Sequence, residues 1–146
     1  MWVRLPKIQS PAPFRPMFIR FAQIDPDPEC RLAEGMFQLL DDLPDLAPED
    51  WRLAEIGRVR AWFADNLEKP DFLEKRIGRQ GVRQGLCWFD ETAGEHIEQA
   101  RYLAWLLTDL GLPVEEIRSE RPGLLLYDDG VQVVAVPDRE TVIVRP

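Results

Sequence analysis

Residues 86–136 constrain the fold more than any other stretch, because they set out a strand, a helix, a second strand and a hairpin in unbroken order. Leu86-Cys87-Trp88-Phe89 is apolar at four consecutive positions. A strand of that kind places hydrophobic side chains on both sides of the pleat and needs both faces covered. The next segment keeps a helical period up to Leu110, with Asp90 or Thr92 as N-cap candidates and Gly111 as its stop. Residues 114–119 alternate, with Ile117 facing in and Glu116 and Arg118 facing out. This order predicts two parallel strands joined by a right-handed crossover through a central helix. Pro122-Gly123 turns the chain, and residues 124–127 and 131–136 then flank Asp128-Asp129-Gly130, a strong hairpin signal. A last short strand is expected at 141–144. The periods assign Ile97, Ala100, Ala104 and Leu107 to the buried stripe of the helix, against a sheet holding Cys87, Ile117, Val133 and Ala135.

The first half is less regular. Pro6, Pro11, Pro13 and Pro16 crowd residues 1–16, which read as an extended arm because proline fixes φ and donates no amide hydrogen. Residues 17–23 have the composition of a strand, Met17 being a candidate native start, and Pro26 and Pro28 stop it. Helices are expected at 32–40 and 48–67. The second opens on Pro48, Glu49 and Asp50 and buries Leu53, Ile56, Val59, Phe63 and Leu67, with Trp62 beside them. A further short helix is expected over 71–76, before Gly78 and Gly81. The whole reads as one α+β domain over residues 17–146. It has a mixed β-sheet, early helices, one central crossover helix and a C-terminal β-hairpin.

Charge and missing motifs exclude more than they assign. The chain's 146 residues carry 26 acidic and 18 basic side chains, a net charge of −8. That charge opposes broad binding to nucleic acid or an anionic membrane. No apolar run reaches the ~20 residues of a membrane span. Residues 1–23 lack the apolar centre of a secretory signal, and the cysteines, Cys30 and Cys87, suit a reducing cytoplasm. One histidine and two cysteines supply too few ligands for a zinc site. Glycine-rich phosphate fingerprints are absent, and Ser10 and Ser119 lie outside any nucleophile elbow. Neither a metal nor a cofactor is expected.

Four constellations remain. Cys87 and His96 are the one candidate pair for nucleophilic catalysis, since a thiol near a helix N-terminus and a histidine can form a thiolate. Against this, His96 falls at the edge of the packed helix face, and a cysteine within Leu86–Phe89 commonly serves as a small hydrophobe. Arg76, Arg79 and Arg83, with Lys75, form the basic concentration of an acidic chain, a candidate anion or RNA contact. The Gly78–Gly81 loop lacks the following helix that a KH-type clamp requires. Tyr102, Trp105 and Leu106 fall opposite the core stripe with Glu98 and Asp109 at their border, which suggests an aromatic partner surface. The competing reading buries these aromatics under the earlier helices. Asp128, Asp129, Asp138 and Glu140 gather near the hairpin, without the alternation of a calcium loop.

Several segments carry a resemblance. They are Cys87-Trp88-Phe89, Ala93-x-Glu95-His96-Ile97, Pro122-Gly123, and Tyr127-x-Asp129 followed by Gln132-Val133-Val134-Ala135-x-Pro137. With Gly35-x-Phe37-Gln38 and Trp62-Phe63, they resemble a set of small uncharacterised bacterial proteins over roughly residues 17–137. The resemblance implies a bacterial origin and a cytoplasmic setting, and no activity.

The expectation from sequence is therefore a small acidic, non-catalytic protein that binds a macromolecular partner or a second copy of itself. Its contact residues would be Tyr102, Trp105, Leu106, Glu98 and Asp109. A Cys87/His96-dependent enzyme and an RNA- or phosphate-binding module using Arg76, Arg79 and Arg83 are the alternatives.

Overall fold

A computed structural model describes residues 16–25, 33–69, 74–76 and 82–145, with 74–76 and 82–84 described by backbone alone. The arm up to residue 15, the Pro26 and Pro28 stop, Cys30 and Arg79 lie outside the described residues. The chain folds as an α+β domain. Strand β1 (Phe18–Gln23) leads to a short helix α1 (Met36–Leu39), extended by a 3₁₀ turn over Leu40–Asp42, and to the long helix α2 (Trp51–Asn66). Strands β2 (Glu74–Arg76), β3 (Val82–Gln84) and β4 (Leu86–Asp90) precede the central helix α3 (Gly94–Asp109). Strands β5 (Val114–Arg121), β6 (Leu124–Asp128), β7 (Gln132–Val136) and β8 (Val142–Val144) complete it.

Six strands form one sheet in the order β6-β7-β4-β1-β5-β8, and every neighbouring pair in it is antiparallel. The crossover exists, but its strands do not touch. β4 and β5 run the same way because each is antiparallel to β1, which lies between them. The parallel neighbours of the expected mixed sheet are thus replaced by a strand from the other end of the sequence. Its composition explains the insertion: Phe18 to Ala22 are all buried, and a strand apolar on both faces belongs in a sheet's interior. The C-terminal hairpin forms as expected from β6 and β7.

Alternation then divides the core. Ile19, Phe21 and Phe89 face α1, α2 and α3, and pack with Met36, Leu39, Ile56, Val59, Phe63, Ile97, Ala100, Leu103 and Leu107. Phe18, Ala22, Trp88, Ile117, Val133 and Ala135 form a second cluster on the opposite face. The expected partners of α3 are therefore corrected. Ile117, Val133 and Ala135 are core residues, but of the other face, while Cys87 is exposed. A shift of one position along a strand moves a side chain across the sheet, so the helix stripe alone could not select its strand partners. The apolar run at β4 is nevertheless explained: Trp88 and Phe89 are both buried, one in each cluster.

Helix ends differ from expectation in small ways. α2 begins at Trp51, after Pro48 and Glu49, because Asp50 is its cap and accepts the Arg52 amide at 3.0 Å. Neither Asp90 nor Thr92 caps α3. Asp90 accepts the Thr92 amide at 2.9 Å and the Thr92 hydroxyl at 2.7 Å within the preceding turn. Gly111 ends α3 with φ +91°. The helix expected over 71–76 is overturned at 74–76, where β2 pairs with β3 and sets Lys75 opposite Arg83.

One carboxylate organises the hairpin turn. Asp129 Oδ1 accepts the amides of Val131 at 2.9 Å and Gln132 at 2.8 Å, and Oδ2 accepts the Tyr127 hydroxyl at 3.1 Å. Desolvation pushes the Asp129 pKa up, but the hydrogen bonds from Gln132, Val131 and Tyr127 outweigh it and hold the pKa below 3.8. A depressed carboxylate stabilises the fold above its ordinary pKa and stops doing so as pH falls through its lowered value. Asp129→Ala is expected to cost about 2 kcal/mol at pH 7. The gap to wild type should narrow below about pH 4. Urea midpoints at pH 7 and pH 3 check both, and a gap independent of pH would dissociate the effect from the carboxylate.

Candidate protein-interaction surface

Helices α2 and α3 lie side by side and run in opposite directions. At one end His96 meets Asn66, and at the other Arg52 meets Asp109. This places the first residue of α2 beside the last turn of α3. Trp51 and Trp105 meet there with ring centroids 6.3 Å apart and planes inclined by 35°. Tyr102 lies one turn before Trp105, its ring nearly parallel at 10° and 6.1 Å away. The Arg58 guanidinium lies 5.7 Å from the Tyr102 ring on the far side of the row, within cation–π range. Trp51 and Trp105 are each 54% exposed. Large aromatics left this open beside one another are the informative exception on a protein surface.

Polar contacts hold the row in place. The Tyr102 hydroxyl donates to Glu55 at 2.8 Å, and Arg58 donates to the other oxygen of Glu55 at 2.9 Å. Arg58, then Tyr102, lower the Glu55 pKa by hydrogen bonding, and the same Glu55 bond raises that of Tyr102. Arg52 bridges the helices, with Nη2 2.8 Å from Asp50 and Nη1 2.8 Å from Asp109. Exposed ion pairs contribute little stability. Their effect here is to fix Trp51 and the end of α3 in one orientation, so that contact with another surface loses less side-chain freedom.

Of the residues expected at this surface, Trp105 is exposed, Tyr102 half-buried and Glu98 exposed. Leu106 is corrected: it is 0% exposed and belongs to the core. The 100° step from Trp105 to Leu106 carries the chain from the open face into the contact with α2. Asp109 is exposed as expected, but it is engaged by Arg52 rather than free to form an acidic rim. Trp51 went unnoticed in the sequence. Its signal was the antiparallel pairing of two helices of similar length, which brings the start of one to the end of the other.

The other constellations fare differently. Cys87 is exposed and belongs to neither core cluster, contrary to a packing role. Partial desolvation raises its thiol pKa, against a smaller lowering by Arg20. His96 is wedged against Trp62, at 4.9 Å between ring centroids, and against Phe63 and Phe89, each at 6.4 Å. Its Nε2 lies 2.7 Å from the Asn66 carbonyl oxygen. That oxygen can only accept, so Nε2 carries the hydrogen. Among the described residues no hydrogen bond joins Cys87 to His96. Arg76 and Arg83 lie on paired strands, Arg76 opposite Val82 and Arg83 opposite Lys75. Asp138 accepts the Glu140 amide at 2.9 Å and the Thr141 hydroxyl at 3.3 Å, a role in a turn. Among the described residues no group of three or more His, Cys, Asp or Glu is placed to hold a metal ion. No helix among them is long and apolar enough to cross a membrane. Comparison of the chain with protein-family models, with curated proteins and with solved structures gives no match.

Proposed function

We propose that this chain is a small acidic binding protein that docks a protein partner on Trp51, Trp105 and Tyr102. The observation that carries the reading is the exposed pair of indoles, held in register by the Arg52 bridge between α2 and α3. Tryptophan and tyrosine bury much area at small entropic cost and dominate the contacts in which they sit. The net charge of −8 supports a partner with a basic face, whose approach it would accelerate. A bacterial, cytoplasmic setting belongs to the same proposal. It draws on the resemblance and on the scarcity of cysteine.

The test compares wild type with Trp105→Ala in affinity purification from the native host, scored by mass spectrometry. The variant should keep its thermal stability within about 1 kcal/mol, since exposed sites rarely cost more. Association with the captured partner should weaken by about 2 kcal/mol or more, as it does when an interface anchor is removed. Sedimentation of the purified protein separates the alternative occupant, a second copy. A large loss of stability with capture unchanged would return Trp105 to the role of ordinary packing.

A further inference from the structure

The β6 edge of the sheet carries a second surface. β6 is its terminal strand, so among the described residues its outer amides and carbonyls have no neighbouring strand. Leu124 and Leu125 are 44% and 43% exposed. They are adjacent, so they leave apolar surface on both sides of the strand. An open, partly apolar edge is a template for one more strand. Beside it is a cavity of about 370 Å³. Phe18 and Leu125 contribute to its apolar lining, and Asp90, Glu120, Asp128, Asp138 and Glu140 are its carboxylates. Arg121 also lines it and reaches toward Glu140 at 3.6 Å. The register ties the two features together: Leu125 and Asp128 belong both to the edge strand and to the cavity.

We propose that β6 accepts an extended segment of another protein as a seventh strand, and that this segment carries lysine or arginine at alternate positions. Alternate side chains of a strand project to one side about 7 Å apart, which lets successive cations reach the carboxylates while the intervening apolar side chains lie beside Leu124. Charge decides against a second copy of this chain. Edge-to-edge pairing of two copies would bring together two chains each already at −8, with Asp128 on both of the paired strands. Backbone pairing would supply affinity, and the carboxylates selectivity. This surface lies apart from Trp51 and Trp105 in the fold and does not rest on them.

Fluorescence anisotropy with a labelled octapeptide alternating lysine and valine tests the proposal against the full chain. The lysine peptide should bind about tenfold or more tightly than its glutamate–valine counterpart. Glu120→Gln combined with Glu140→Gln should erase most of that difference. N-methylation of alternate peptide amides, which keeps the charge and blocks strand addition, should weaken binding by about tenfold. Trp105→Ala should leave it unchanged. Equal binding of the methylated peptide would reduce the effect to charge attraction and overturn the proposal. So would loss of binding in Trp105→Ala, which would move the peptide to the helical surface, or sedimentation as a dimer closed through β6. Failure at β6 leaves the aromatic surface untouched, because the partner capture described above does not use it.

Discussion

Replacing Gly123 with alanine is expected to destabilise the fold by about 3–5 kcal/mol. The residue holds φ +132° in the turn between β5 and β6, a conformation that side chains rarely adopt. A Cβ there would lie 2.0 Å from the Val136 carbonyl oxygen and 2.9 Å from the Pro137 Cα. Both neighbours are backbone, so no side chain can rotate aside. Relief requires the turn to move away from β7, which breaks the pairing of Leu124 with Val136 at the start of the hairpin. Gly130 provides the comparison. It also has a positive φ, +85°, but an added Cβ meets nothing within 4 Å. Gly130→Ala should therefore cost only the conformational term, about 1–2 kcal/mol. Urea midpoints of the two variants measure the difference, and hydrogen exchange of residues 124–128 locates it. Equal costs would mean that the turn is soft and that contact with Val136 does not hold it.

That contrast also marks where the sequence was legible. Pro122-Gly123 and Asp128-Asp129-Gly130 announced two turns through their own chemistry, and both are turns. That Gly123 presses against the end of β7 depends on a strand nine or more residues away, which no local signal contains. The same limit governs the sheet. β4, α3 and β5 were readable as a unit from apolar runs and a glycine stop. The placement of β1 between β4 and β5 was not, because strand pairing across about a hundred residues leaves no periodic trace. The two-sided apolarity of Phe18-Ile19-Arg20-Phe21-Ala22 was the available sign of a central strand. Arg20 obscured it, although its guanidinium is buried and donates to the Ala33 carbonyl. At the aromatic surface the helix period correctly set Trp105 apart from Leu103 and Leu107. It misjudged Leu106, since a period describes one buried face and α3 is covered from two directions.

Leu106 therefore provides the sharpest test of how α3 is packed. Leu106→Ala and Leu107→Ala are each expected to cost about 3–5 kcal/mol, the range for a leucine deleted from a filled core. Both side chains are 0% exposed and belong to the cluster that joins α3 to the sheet and to α2. A helix packed on the sheet alone would bury Leu107 and leave Leu106 at its margin, where alanine would cost about 1 kcal/mol or less. The antiparallel neighbour α2 removes that margin, presenting Ile56, Val59 and Phe63 to the same cluster. Equal losses at 106 and 107, beside a small loss for Trp105→Ala, would place the boundary between core and contact surface within one residue of the helix. A near-neutral Leu106→Ala would detach α2 from α3. Trp51 would then lose the support that holds it against Trp105, and the rigid aromatic pair on which docking depends would not exist in solution.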